Sequence, residues 1–162
     1  MLQAAHRLRV KGLSFHLKII GDGPERLALE AQARALNLDD CVTFMGYLSQ
    51  PALERTLANT LAVIMPSLAG EVFGLVALER MMEGRVVIIS AIGALDEVVG
   101  DVGLKFPPGD TEGLAKCMAE VIANPSLVRE VGQRARERAK QFFGLERMIG
   151  EHLQAYEELL KP

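Results

Sequence analysis

The sequence predicts an α/β domain: a mostly parallel sheet with helices on both faces, followed by a helical C-terminal end. Three observations carry that prediction. Short apolar runs rich in Val and Ile alternate with longer stretches of helical period, the pattern of βα units whose strands are buried on both faces. The first such run leads directly into Gly21-Asp22-Gly23-Pro24, a glycine-rich turn between strand and helix. Beyond Asp110 the strand-like runs stop, and three stretches of helical period follow one another.

Taken in order, Leu2 to Arg9 reads as the tail of a helix, and five strands follow at Phe15–Ile20, Val42–Met45, Leu61–Met65, Val86–Ser90 and Gly103–Phe106. The helix from Pro24 to Leu36 opens with Gly23-Pro24-Glu25, which puts Pro where its missing N–H costs nothing and Glu beside the positive helix end. Ser49-Gln50-Pro51 opens the next helix in the same way, and Gly84 closes the one that contains Leu75, Leu78 and Met82. Thr111–Ala123, Ser126–Phe142 and Leu145–Leu159 are predicted as consecutive helices, with Leu114, Met118 and Val121, then Val128, Val131 and Ala135, on one side. No internal repeat, low-complexity tract or linker divides the chain, so residues 1–162 are expected to form a single domain.

At 162 residues the chain is long enough to bury roughly two-thirds of the surface exposed when unfolded. A content of 49% hydrophobic and 24% charged residues is that of a packed domain and excludes a disordered or fibrous chain. The formal net charge of −3 offers no basic footprint for nucleic acid. Cys41 and Cys117 lack metal-ligand spacing and suggest no disulfide framework, so a reducing, cytoplasmic compartment is expected. No apolar run reaches the ~18 residues of a membrane-spanning helix, and Met1 to Lys11 lacks the apolar core of a secretory signal.

Two places carry candidate chemistry. At Gly21-Asp22-Gly23-Pro24, Gly21 and Gly23 let the backbone turn tightly and approach a ligand, and the helix that follows offers free N–H groups. A tight turn with no ligand explains the same four residues. The second place is Pro66-Ser67 followed by Glu71-Val72-Phe73-Gly74-Leu75-Val76-Ala77-Leu78-Glu79. With a helix starting near Phe73, Glu79 lies about 9 Å along it, while Glu71 stays in the loop. The helix end exposes N–H groups at Phe73, Gly74, Leu75 and Val76 with partial positive charge, which suits a diphosphate. A carboxylate on each side of that anion site accepts from two sets of hydroxyls, as a nucleoside diphosphate sugar would present them. The plainer alternative is that Glu71 favours the helix end and Glu79 is a solvated helix residue paired with Arg80.

Pro66-Ser67, Glu71 and Glu79 with seven residues between, Gly84, Val86-Val87, Gly93, Glu97-Val98-Val99, Gly103 and Pro108-Gly109-Asp110 together resemble the donor half of the family-4, retaining, GT-B glycosyltransferases. Gly21-Asp22-Gly23-Pro24 and Val42-Thr43-Phe44-Met45-Gly46 fall at the matching earlier places, so the resemblance covers residues 12 to 150. It implies a Rossmann-like three-layer domain, half of a GT-B fold. It further implies that Glu71 binds hydroxyls of the transferred sugar near the reacting centre and that Glu79 holds the ribose. Gly74, Leu75 and Val76 would cradle the diphosphate, Gly46 and Tyr47 would border the base, and Ser67 would shape the pocket. No metal or cofactor is implied; the nucleoside diphosphate sugar is the substrate. The complete enzyme would transfer a hexose with retention to a glycan or lipid acceptor held by an N-terminal domain or a partner chain.

The departures are as informative. Where the family shows Glu-Ala-Met, Pro and Gly-Gly, this chain has Glu79-Arg80-Met81, Arg85 and Gly93-Ala94. Arg80 and Arg85 are expected on the surface, and Ala94 is expected to crowd a turn beside the sugar. The family's first, central strand, with an Arg and a Lys that neutralise the diphosphate, has no counterpart. Lys11 and Lys18 are the nearest basic residues and read as solvated. A gap in mid-sheet, pairing with another chain or copy, and inactivity of the chain alone are therefore expected. The rival reading is a non-catalytic module that binds nucleotide or sugar phosphate, or docks on a partner; a sugar-nucleotide epimerase half fits less well, because it would not carry the two spaced glutamates. His6, His16 and His152 suggest no metal or relay, and Met81-Met82 read as core fillers. Arg134, Arg136, Arg138 and Lys140, over Val131, Phe142 and Phe143, read as a solvated helix face, with membrane-surface contact as the alternative.

Overall fold

The computed structural model describes residues 1–69 and 71–161. It contains α1 (Leu2–Val10), β1 (Leu17–Ile20), α2 (Arg26–Ala35), β2 (Val42–Gly46), α3 (Gln50–Ala58), β3 (Ala62–Met65), α4 (Leu75–Met82), β4 (Val86–Ser90), α5 (Gly93–Val99) and β5 (Leu104–Phe106), then α6 (Thr111–Ala123), α7 (Pro125–Phe143) and α8 (Leu145–Leu159). All five predicted strands are present, β4 with the bounds expected and the others with one end moved by one or two residues. Every strand pairing is parallel, as expected when each connection runs through a helix.

β4 shows why the layers form. All five of its residues are buried, and alternate side chains take opposite faces. Val87 and Ile89 pack with Met81 of α4, Leu95 of α5, and Ala135 and Ala139 of α7. Val86 and Ile88 pack with Ala4 and Leu8 of α1 and Leu114 and Met118 of α6. A third cluster joins Leu2 and Ala5 of α1 to Leu17 of β1, Ala33 of α2 and Val42 of β2. Helix α1 therefore contributes to two cores. Helix α7 crosses the α4–β4 turn so closely that a Cβ at Gly132 would lie 2.2 Å from the Gly84 carbonyl oxygen.

The sheet is in two pieces: β1-β2 and β3-β4-β5. No strand pairing joins β1 to β3 among the described residues, and a cavity of about 860 Å³ lies between them, lined by residues 14–20 on one side and 61–66 on the other. This is the expected gap in mid-sheet.

Two expectations need correction. Arg26 N–H donates to the Gly23 carbonyl at 3.1 Å, making Pro24-Glu25 a turn, so α2 starts at Arg26. Helix α5, which the sequence reading left without bounds, occupies Gly93–Val99. Its unusual backbone angle falls on Gly93, with φ of +51°, so Ala94 sits in the first turn of a helix and not in the tight turn expected for it.

Candidate functional site

The glutamate-bearing segment folds as a loop that ends in a left-handed residue. Gly74 is the N-cap of α4 with φ of +86°, a conformation that costs a residue with a Cβ about 1–2 kcal/mol. A Cβ there would also meet Leu95 Cδ1 at 3.0 Å and Glu71 Oε2 at 3.6 Å. Helix α4 consequently starts at Leu75, two residues later than expected. The N–H of Phe73 belongs to the loop, and its ring stacks edge-on against Phe143 with centroids 6.0 Å apart. No side chain caps α4, so the N–H groups of its first turn remain available, and Leu75 and Val76 are exposed beside them.

The two glutamates stand in different surroundings. Glu79 is five positions into α4, about 6 Å along the helix from Leu75, with its side chain 61% exposed and 3.0 Å from Arg80. Glu71 is turned inward: its Oε2 is buried with no hydrogen-bond partner among the described residues. A buried carboxylate oxygen without a donor is costly, so Glu71 is the group in this region with the most to gain from hydroxyls. The inter-sheet cavity is lined by Val76 and Glu79; Gly21, Gly23, Gly46, Tyr47, Ser67, Glu71, Phe73, Gly74 and Leu75 are not part of its lining. Of the predicted residues, Gly21 and Gly46 meet at the ends of β1 and β2, Glu71 and Gly74 meet at the start of α4, and only Val76 and Glu79 reach the inter-sheet cavity.

At the ends of β1 and β2, Gly21 N–H donates to the Gly46 carbonyl at 2.8 Å, closing the two turns onto each other. Gly23 is unobstructed, and its N–H is held by Asp22 Oδ1 at 2.8 Å. Tyr47 is 87% exposed. Ser67 contributes through its backbone: the buried Ser90 hydroxyl donates to the Ser67 carbonyl at 2.7 Å, fixing the loop after β3 to the end of β4.

Two cations were missed from sequence. Arg26 packs over Gly46 and is held by Glu30 at 2.9 Å and Asp22 at 3.0 Å; those hydrogen bonds, Glu30 first, raise its pKa. The i, i+4 spacing of Asp22, Arg26 and Glu30 was the available signal. Arg80, expected on the surface, is 4% exposed and lines the inter-sheet cavity. It lies 3.0 Å from Glu79 and 2.8 Å from Glu83, yet its Nη1 makes no aligned hydrogen bond. Its signal was helical phase, since it follows Ala77 by three positions and both are buried. Arg85 is also engaged, donating to the Leu57 carbonyl at the end of α3. Arg138 of α7 is spent internally on the Glu97 and Val98 carbonyls, which corrects its reading as part of a solvated face.

Elsewhere, His6 bonds the Leu36 carbonyl and His16 bonds Thr43. Among the described residues no three His, Cys, Asp or Glu side chains gather as a metal site. No described helix is long and apolar enough to cross a membrane.

Residues 1–138 match the family described as Glycosyl transferases group 1. The N-acetyl-alpha-D-glucosaminyl L-malate synthase of Bacillus anthracis is 32% identical over 147 residues, 90% of this chain and 38% of the relative. A sucrose-phosphate synthase structure from Thermosynechococcus elongatus superposes with a TM-score of 0.81 at 30% identity, covering 98% of this chain and 42% of that one. The Anabaena protein HepE, solved in complex with UDP-glucose, shares the fold with a TM-score of 0.80 at 23% identity, covering 95% of this chain and 44% of that one. The chain thus spans about two-fifths of the length of these proteins, and its match to the family and its shared GT-B architecture make it a member of the group 1 glycosyltransferases.

Proposed function

We propose that this chain is the donor-binding domain of a retaining glycosyltransferase, taking a nucleoside diphosphate sugar for hexosyl transfer to a glycan or lipid acceptor. The observation that carries the reading is the open amino end of α4. It is uncapped, preceded by the left-handed Gly74, and flanked by a carboxylate on the loop side, Glu71, and another on the helix, Glu79. The diphosphate would lie on the N–H groups of the first turn, where the helix end stabilises the charge that develops as the sugar leaves. Glu71 would bind sugar hydroxyls and Glu79 the ribose. That HepE was solved with UDP-glucose supports this class of donor. Because Arg26 and Arg80 are already paired with carboxylates, the chain alone would bind donor weakly and transfer little, and an acceptor-binding domain or partner would supply the second wall.

The engagement of Arg26 and Arg80 by carboxylates favours a second reading, a module that docks on a partner and binds no nucleotide. Calorimetric titration with UDP, GDP and ADP separates the two. Binding of any one, weakened at least tenfold by Glu79→Ala, supports the donor site; silence from all three supports the docking module.

A further inference from the structure

A chain of charges on α4 runs from Glu79 to the end of α3. Glu79 and Glu83, the C-cap residue, lie one turn apart on the same side of the helix, where like charges repel. Arg80 stands between them, with Nη2 3.0 Å from Glu79 Oε2 and Nη1 2.8 Å from Glu83 Oε1. Glu83 is gripped at its other oxygen by Arg85 Nε at 2.7 Å, and Arg85 Nη1 donates to the Leu57 carbonyl at 2.6 Å. The partners in the Glu79–Arg80 contact are unlike: the Arg80 side chain is 5% exposed and that of Glu79 61%. The guanidinium is thus fixed by packing while the carboxylate stands in solvent. Exposed ion pairs gain little because both partners give up torsional freedom; here burial has already immobilised one of them. Adjacent helix residues do not face each other, so Glu79 has to bend back over the helix to meet Arg80, and the contact takes up Oε2 alone.

We infer that Arg80 is a positioning residue: it holds Oε2 of Glu79 so that Oε1 stands ready, before any nucleotide arrives, to accept from a ribose hydroxyl. This role rests on the donor-site reading above and adds to it the group that orients its ribose carboxylate. Arg80 does not itself meet the donor, because its guanidinium is buried and faces two carboxylates. An Ala, which the family resemblance leads one to expect at this position, has no group with which to steer Glu79. Without the guanidinium, Glu79 regains its side-chain torsions and is repelled by Glu83, and the cost of ordering it falls on the binding step.

The test is an NMR titration of the chain with UDP, GDP and ADP, and with the 2′-deoxy and 3′-deoxy forms of each, following the Leu75 and Val76 amides so that millimolar affinities are read. For at least one nucleotide the parent is expected to bind the ribose form about tenfold or more tighter than a deoxy form, the worth of one hydrogen bond to a charged acceptor. In Arg80→Met that ratio is expected to fall below about threefold, with the deoxy form bound as in the parent. Glu83→Ala withdraws the second partner of the guanidinium without touching the core, and it is expected to at least halve the ratio. A ratio unchanged in either variant, or a loss shared equally by ribose and deoxy forms, would overturn the positioning role. Binding of none of the three nucleotides by the parent would overturn the donor-site reading and this role together, whereas an unchanged ratio in a chain that binds overturns this role alone.

Discussion

Replacing Gly74 by Ala tests the geometry on which the α4 end rests. The left-handed φ of +86° costs an Ala about 1–2 kcal/mol. The new Cβ would also sit 3.0 Å from Leu95 Cδ1. Leu95 is fully buried and can yield only by disturbing its neighbours, which adds about 1 kcal/mol. Against this, Ala narrows the unfolded ensemble and returns about 0.4–1 kcal/mol. The net loss is about 1–2.5 kcal/mol, or roughly 2–10 °C in Tm for a domain of this size. Scanning calorimetry measures it, with Gly150→Ala as the control. Gly150 lies in α8 with nothing within 4 Å of a Cβ and no positive φ, so that change is expected to raise stability by about 0.5–1 kcal/mol. If Gly74→Ala melts at or above the parent while the control behaves, the left-handed cap is not the solution conformation and the argument for an open α4 end is lost.

Gly132→Ala is expected to cost more than Gly74→Ala, because its Cβ would lie 2.2 Å from the Gly84 carbonyl oxygen and backbone cannot rotate aside; a smaller melting shift than that of Gly74→Ala contradicts this. Arg80→Met removes a buried guanidinium whose Nη1 has no aligned acceptor and leaves Glu79 and Glu83 exposed enough to stay solvated. Its stability is expected to equal or exceed the parent's, and urea unfolding showing a loss above about 3 kcal/mol would contradict that. Arg9 bonds the Asp40 carboxylate and holds its pKa below the usual range. A depressed carboxylate stabilises the fold above the ordinary carboxylate pKa, and that contribution fades as pH falls through the folded value. Asp40→Asn should therefore flatten the acid side of the stability profile, and a carboxyl titration by NMR at the ordinary value for Asp40 would refute the pairing.

Much of this architecture could be read from the chain. Val86 to Ile89 is apolar at consecutive positions, as a strand covered on both faces requires, and Pro51 and Gly84 marked the start of α3 and the end of α4. The start of α4 was misjudged because Phe73 suits a helix, while the left-handed Gly74 that ends the loop lies against Leu95 and Glu71, a closeness that sequence spacing does not reveal. Arg80 was assigned to the surface on chemical type, whereas the spacing of Ala77 and Met81, both fully buried, puts position 80 beside them. The inward turn of Glu71 is a tertiary fact with no local signature.

Helix α1 has a mechanical consequence. Its Ala4 and Leu8 belong to one apolar cluster and its Leu2 and Ala5 to another, while no strand-to-strand ladder crosses between them. One nine-residue rod, with Phe15 and Ile64 packed against both clusters, is therefore an axle that joins the small β1–β2 lobe to the larger one. Loosening that axle would uncouple the lobes, and the exchange rates of β2 and β4 amides would then part company well below the temperature at which the larger lobe unfolds.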